Sequence, residues 1–306
     1  MRILLTGGSG LVGSNILENP RAVFYDILAP TSKDLNLLDL EATKKYLMVT
    51  KPDIVIHAAG KVGGIQANIA APVDFLVDNL DMGRNVLMAA RSAGISRFLN
   101  IGSSCMYPRG YDKPLTEEML LTGELEPTNE GYALSKIVCD RICQYVSRDQ
   151  GFEYKTIIPC NIYGRYDSFS PDKSHLIPAI IYKIFTAMKS GDSVVEIWGD
   201  GLSKREFMYA ADLADCIFDC VERFESLPSI MNVGMGVDYT INQYYKVAAM
   251  VLGYEENFAH DLTKPVGMSR KIVAIDKQLS WGWQAKTSLR EGIEKTYHYF
   301  LQQTKK

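Results

Sequence analysis

Arg2-Ile3-Leu4-Leu5-Thr6-Gly7-Gly8-Ser9-Gly10-Leu11-Val12-Gly13-Ser14-Asn15-Ile16-Leu17 opens the chain. The apolar run reads as a short buried strand, and a helical pattern begins at Ser14. Between them Gly7, Gly10 and Gly13 are spaced G-x-x-G-x-x-G. One such glycine permits the tight turn, one lets backbone approach a pyrophosphate, and one lets helix and strand pack closely. The helix N-terminus then faces the phosphates. Strand, glycine loop and helix in this order predict a dinucleotide-binding fold. Gly7, Gly8, Ser9, Gly10, Leu11, Val12 and Gly13 are its cofactor contacts.

The alternation continues downstream. Ala22 to Pro30 is a second strand candidate, and Asp53 to Gly60 a third. The third ends in Ala58, Ala59 and Gly60, small enough for a cofactor to lie close. A long helix follows through Asn79, Asn85 and Ala90. Phe98 to Gly102, Thr156 to Pro159 and Ile230 to Gly234 are further strands. Strands alternating with helices predict an α/β fold with a doubly wound parallel sheet of Rossmann type. Ligands of such sheets bind outside the carboxyl ends of the strands. That edge carries Ile101, Gly102, Ser103, Ser104 and Cys105, then Pro159, Asn161 and Ile162.

An acidic residue about 20 positions past the first glycine binds the ribose 2′-hydroxyl of NAD. Asp26 is in range, but the apolar run continues through Ile27, Leu28 and Ala29. That places Asp26 inside the strand and the strand end at Thr31-Ser32-Lys33. Ser32 and Lys33 suit a 2′-phosphate, so NADP(H) is favoured, with NAD the alternative. Asp34 to Asp39, including Asn36 and Leu37, is expected to pass under the adenine.

Gly131-Tyr132-Ala133-Leu134-Ser135-Lys136 adds chemistry. Tyr132 and Lys136 are one helical turn apart on one face. An ammonium beside a phenol stabilises the phenolate, which predicts a lowered tyrosine pKa. Such a tyrosine exchanges a proton with a carbonyl or alcohol oxygen near neutral pH. With the dinucleotide loop and a serine ahead of it, the pair points to carbonyl reduction.

The 306 residues, 47% hydrophobic and 23% charged, allow one large domain or two smaller ones. A net charge of −3 argues against a general nucleic-acid binder. No apolar run reaches the ~18 residues of a membrane helix. Met1-Arg2 leads directly into a strand, without a signal-peptide pattern. A cytoplasmic location is expected. Cys139/Cys143 and Cys216/Cys220, spaced i, i+4, read as core-facing helix stripes and not metal ligands. His57 is expected to pack inside the fold.

Several stretches carry a family resemblance: the Gly7–Gly13 loop, Lys61-Val62-Gly63-Gly64-Ile65, Gly102-Ser103-Ser104-Cys105-Met106-Tyr107-Pro108, Leu125 to Ala133, Asn161-Ile162-Tyr163-Gly164, Ser174-His175-Leu176-Ile177-Pro178-Ala179, Trp198-Gly199-Asp200-Gly201 and Arg205-Glu206-Phe207. Over nearly its whole length the chain resembles the extended short-chain dehydrogenase/reductases. More narrowly it resembles the GDP-L-fucose synthase family of GDP-4-keto-6-deoxymannose 3,5-epimerase/4-reductases. The resemblance implies that Ser103, Tyr132 and Lys136 form the reductase triad. It implies that Cys105 and His175 are the epimerase acid/base pair, with His175 also at the cofactor. Inversion beside a ketone needs a base and an acid on opposite faces of an enolate; a thiol and an imidazole suit those roles. Substrate contacts are then expected at Val62, Gly63, Ser104, Cys105, Asn161, Lys183, Trp198 and Arg205, with Lys286 a weaker candidate. Lys264-Pro265-Val266-Gly267 and Arg270-Lys271 are also similar. Family members often carry aspartate four residues after that arginine; here it is Ala274, with Asp276 two further on.

The expected substrate is a GDP-4-keto-6-deoxy hexose or a related heptose. A 4-reductase with little or no epimerisation is the nearer alternative. Non-catalytic dinucleotide-binding subunits on this fold typically lose the tyrosine, lysine or serine, and all three are present. The polar stretch from Arg165 to Lys173, with Asp167 and Asp172, should open a smaller lobe, followed by an amphipathic helix over Ile177 to Met188. The expected division is 1–162 with 206–236 for the cofactor, and 163–205 with 237–306 for the nucleotide-sugar. Family members are usually homodimers that pair helices including the Tyr/Lys one, and Cys139 and Cys143 are expected near that surface.

Overall fold

A computed structural model describes residues 1–170, 174–255, 257–264 and 267–304. Asp172, Lys173, Pro265 and Val266 lie outside the described residues. The first half runs β1 (Arg2–Thr6), α1 (Leu11–Glu18), β2 (Asp26–Leu28), α2 (Leu40–Thr50), β3 (Ile54–His57), α3 (Ile65–Ala70), α4 (Pro72–Ser92), β4 (Arg97–Ile101), α5 (Glu130–Gln150) and β5 (Glu153–Pro159). The second runs β6 (Asn161–Tyr163), α6 (Leu176–Ser190), β7 (Val194–Trp198), β8 (Lys204–Arg205), β9 (Phe207–Tyr209), α7 (Ala210–Glu222), β10 (Ile230–Val233), β11 (Tyr239–Thr240), α8 (Ile241–Leu252), β12 (Asn257–Asp261), β13 (Arg270–Lys271), α9 (Asp276–Trp281) and α10 (Leu289–Thr304).

Six strands form one parallel sheet in the order β2-β1-β3-β4-β5-β10. Helices cover both faces, which is why its strands read as unbroken apolar runs and not as alternation. On one face α2, α4 and α5 bury Leu47, Val86, Leu87 and Cys143 against Val55 and Phe98. On the other, α1 and α7 bury Ile16, Leu213 and Ile217 against Ile3 and Ile56. This is the doubly wound sheet that the sequence predicts.

The second strand departs from expectation. Pro20–Phe24 is a 3-10 helix, started by Pro20 and by Asn19 accepting the Arg21 N–H. The strand begins only at Asp26, whose carboxylate pairs with Arg2 at 2.7 Å. Asp26 is thus held at the amino end of the sheet, away from the cofactor edge. The paired cysteines of α5 and α7 are buried free thiols, as expected. Burial also corrects one expectation: Cys139 and Cys143 are not near an outer surface. Cys139 fills the space left by Gly83 of α4, where a Cβ would stand 2.3 Å from its sulfur.

After β5 the chain forms a strand, β6, parallel to β9, and not simply an outgoing loop. Alternation along these strands sends neighbours to opposite sides. Ile162 and Met208 join the main core, while Tyr163, Phe207 and Tyr209 join a second cluster with α6, α8 and α10. α6 buries Ile177, Ile180, Ile181 and Ile184 and stops at Gly191 in the left-handed region. Glu206, fully buried, ties this seam together. Its carboxylate accepts N–H bonds from Met235, Gly236 and Val273 at 2.7–2.9 Å. Burial pushes that carboxyl up to about 7 against those donors. No local sequence pattern signals this role.

Candidate active site

The glycine loop is closed by backbone alone. Gly7 has φ +75°, and a Cβ there would stand 2.6 Å from the Ala59 nitrogen. A Cβ on Gly13 would stand 2.1 Å from the Gly7 carbonyl oxygen. Gly10 caps α1 without a side-chain hydrogen bond. The first-turn amides, which have no intrahelical acceptor, therefore stay open to an anion. Ser32, Lys33 and Asn36 are exposed beyond the end of β2, with Leu37 half-buried. Asp34 fixes that turn by accepting the N–H and hydroxyl of Thr31. A cradle of bare amides, with a hydroxyl and a cation past the next strand, fits a dinucleotide bearing a 2′-phosphate. His57 is 2% exposed and bonded to Thr6 at 2.8 Å. Burial, then the charge of Lys136, holds its imidazole down at about 3, a neutral packing residue as expected.

At the end of β4, Ser103 accepts the N–H of Cys105 at 3.2 Å and starts a 3-10 turn over Ser104–Met106. Tyr132 and Lys136 occupy the first turns of α5. Lys136 Nζ donates to the Ile101 carbonyl at 3.0 Å. It would lie 3.8 Å from a Cβ on Gly60, and so faces the small-residue end of β3. The Ser103 hydroxyl acts on the Tyr132 phenol.

The ionisation of this set corrects the expectation. Tyr132 is pushed up, not down. Burial is the main cause, the neighbouring Cys105 acts in the same direction, and the Ser103 hydroxyl opposes them. Burial pulls Lys136 down. Its ammonium is committed to a carbonyl and stands 5.8 Å from the phenol ring centre. Desolvation, which favours neutral forms, outweighs that distant charge.

Cys105 is the meeting point of three chain regions. Its sulfur accepts from Asn129 Nδ2 at 3.2 Å and from Lys271 Nζ at 3.3 Å. Lys271 comes from β13, 166 positions along the chain. Neither contact was foreseen; both residues lie in family-like stretches, yet no local spacing links them to the thiol. His175 caps α6 through its backbone only. Its Nδ1 lies 3.5 Å from Asp167, whose side chain is 4% exposed. Burial pulls the imidazole down, but the adjoining Asp167 carboxylate outweighs it and leaves it raised.

One wall joins these groups. The Ser174 carbonyl would lie 3.2 Å from a Cβ on Gly64, in the Val62–Gly64 loop that leads into α3. α3 packs on the Pro127–Asn129 turn that supplies Asn129. Gly267 lies between Ile65 and Arg205. Lys183 on α6 and Lys264 after β12 both stand over the Trp198 ring, at 5.1 and 5.6 Å. Trp198 donates to Glu196 at 2.8 Å. Burial, offset by Glu126, lowers the pKa of Arg205. Arg270 is gripped by Asp238 at 2.5 Å, while Ala274 makes backbone bonds alone, accepting from Asn232 and donating to Leu115.

Two expected substrate contacts sit elsewhere. Ser104 is 2% exposed, its side chain packed inward. Lys286 pairs with Asp215 on α7 at 3.6 Å, and its backbone is held by Asp212. No described contact joins it to Lys183, Trp198 or Arg205.

Residues 3–234 match the model of the NAD dependent epimerase/dehydratase family. The chain belongs to this family. That match contains every triad and acid/base candidate, but stops before Lys271. The chain is similar to a GDP-L-colitose synthase of Yersinia pseudotuberculosis, 54% identical over 98% of each chain. It is also similar to a GDP-L-fucose synthase of Azorhizobium caulinodans, 46% identical over 98% of this chain and 96% of the other. Among solved structures, a GDP-mannoheptose C4 reductase from Campylobacter jejuni with NADP bound superposes with a TM-score of 0.88, at 26% identity and 98% coverage of both chains.

Proposed function

We propose that this family member is an NADPH-dependent 3,5-epimerase/4-reductase of GDP-4-keto-6-deoxy sugars, of the GDP-L-fucose synthase type. The observation that carries it is the placement of Cys105. Its sulfur is held between an ammonium and an amide, and its N–H is bonded to Ser103. The open amides of α1 would hold the pyrophosphate, with Ser32 and Lys33 at the 2′-phosphate and Asn36 and Leu37 beneath the adenine. The reduced nicotinamide, when bound, supplies a hydride to carbon 4.

The chain's own residues do the rest. Cys105 and His175 flank the sugar ring; one removes a proton next to the ketone, and the other returns one to the opposite face. Lys271 and Asn129 donate to the sulfur and so fix its position beside the ring. Epimerisation comes first, because the ketone must still be present to acidify carbons 3 and 5. Tyr132, kept neutral by burial, then gives its proton to the oxygen at carbon 4, while Ser103 holds that oxygen. Lys136 orients the nicotinamide ribose. Lys183 and Arg205 meet the diphosphate, and Trp198 packs on the nucleotide-sugar.

The division into a cofactor domain (1–162 with 206–236) and a substrate lobe (163–205 with 237–306) is supported by two separate clusters meeting at β6 and β9. Homodimers are supported by the exposed apolar side chains of Val73 and Val77 on α4 and of Leu134 and Val138 on α5. A doubled mass by light scattering is the expected result. A cytoplasmic location accords with the lack, among the described residues, of any helix long and apolar enough to cross a membrane. The likeness to the C4 reductase supports a second reading, reduction without epimerisation. Turnover of GDP-4-keto-6-deoxymannose with NADPH in deuterated water separates the two. Deuterium at carbons 3 and 5 supports the first reading, a deuterium-free product the second, and no NADPH oxidation overturns both.

A further inference from the structure

Asp167 is a buried carboxylate without a salt-bridge partner of ordinary kind. It follows β6, and its Oδ1 accepts the Ser168 N–H at 2.8 Å. Its Oδ2 is buried with no hydrogen-bond partner, and so is Nδ1 of His175. That Nδ1 lies 3.5 Å from the other carboxylate oxygen, Oδ1. An uncompensated buried carboxylate is costly, and a cationic ring beside it is the natural remedy.

Among the described residues, the surroundings offer no other charge. Arg165 and Tyr166, next to Asp167, are turned to Glu18 of α1. The first turn of α6 is Leu176, Ile177, Pro178 and Ala179, none of them titratable. The Val62–Gly64 loop has no ionisable side chain, and Lys61 before it is paired with Asp74 and Asp78. Asp167 is the single charge acting on the ring among the described residues.

We propose that Asp167 is a positioning residue for His175: it fixes Nδ1 as a protonated, inward-facing edge, keeps the ring cationic, and leaves Nε2 to deliver a proton to the sugar. This rests on the acid role of His175 proposed above. The pairing makes physical sense of a long-range preference: a proton donor must be charged before the substrate arrives, and the carboxylate supplies that charge state in advance. A ring in this state serves proton return, while the neutral Tyr132 serves reduction.

The test is an NMR titration of the four histidines in the full chain, with His175 identified by its substitution to Gln. In Asp167→Asn the His175 midpoint should fall by about one pH unit or more, while the other three stay in place. Each unit is a tenfold loss of protonated ring at pH values above both midpoints. Deuterium exchange into product should therefore fall about tenfold at pH 8 and approach the parent rate below the variant's midpoint. Asp167→Glu should recover part of both. An unmoved midpoint, or an equal loss at every pH, overturns the proposal and marks Asp167 as a loop-shaping residue. A lowered midpoint with unchanged exchange supports the pairing and overturns the acid role of His175, so the two failures are told apart.

Discussion

Ser103, Tyr132 and Lys136 lie against the six-stranded sheet; Cys105 and His175 lie where the second lobe reaches over it. The two groups are ionised by different physics. In the first, desolvation rules: the phenol is pushed up and the ammonium pulled down, both toward neutrality. In the second, pairing rules: His175 is raised by Asp167 despite its burial, and a lysine from β13 stands on the Cys105 sulfur. Reduction of a ketone needs a neutral donor that releases one proton late. Epimerisation needs a charged acid and an activated base at the start. Ser103, Tyr132 and Lys136 thus sit in a desolvated setting at one sheet edge, while Cys105 and His175 each stand beside a charged partner, Lys271 and Asp167, and the proposed division of labour follows that contrast.

The largest test of that contrast is Tyr132→Phe. It removes the sole proton donor of the buried set, so the reduction rate should fall by about 10²–10⁴. Binding of NADPH, measured by fluorescence, should hold, as should deuterium exchange. Loss of exchange along with reduction would show that the two sets are not separable. Cys105→Ala attacks the other side. Exchange at carbons 3 and 5 should drop by at least about a hundredfold, leaving a slow reduction to the unepimerised product. Lys271→Gln is milder, since the thiol remains with Asn129. Its expected signature is about a tenfold loss of exchange with NADPH binding unchanged, the size of one hydrogen bond to a reacting group. A raised KM with unchanged maximal exchange would assign Lys271 to substrate binding instead.

How much of this was legible in the sequence follows the same divide. The glycine loop and the Tyr/Lys turn are local patterns, fixed by a few consecutive positions, and the strand runs of a sheet covered on both faces need no partner to be recognised. Cys105 and His175 were found only through their resemblance-bearing stretches. Their tuning partners could not be read. Lys271 meets Cys105 across 166 positions, and Asp167 is one polar residue in a polar loop. The sign of the Tyr132 shift was misread for a related reason. Spacing reports that two side chains share a helix face; it does not report that Ile101 takes the ammonium or that burial raises the phenol. Asp26 was correctly placed inside its strand because the apolar run continued past it, which is again local information.

The smallest expected effect concerns Lys286. Resemblance suggested a substrate contact, yet its side chain is 81% exposed and its Nζ lies 3.6 Å from Asp215 on α7. Asp215 already serves Arg21, so the lysine adds one more cation to a solvated cluster. Exposed pairs of this kind contribute less than about 1 kcal/mol, and long side chains there cost little to remove. Lys286→Ala should therefore leave KM for the GDP-sugar within about twofold, the size of effect such a pair permits, and shift the melting temperature little. The comparison would break if KM rose tenfold while kcat held. That outcome would bring the chain segment before α10 toward the nucleotide on binding, and would make lobe closure, rather than the resting geometry, the source of substrate affinity.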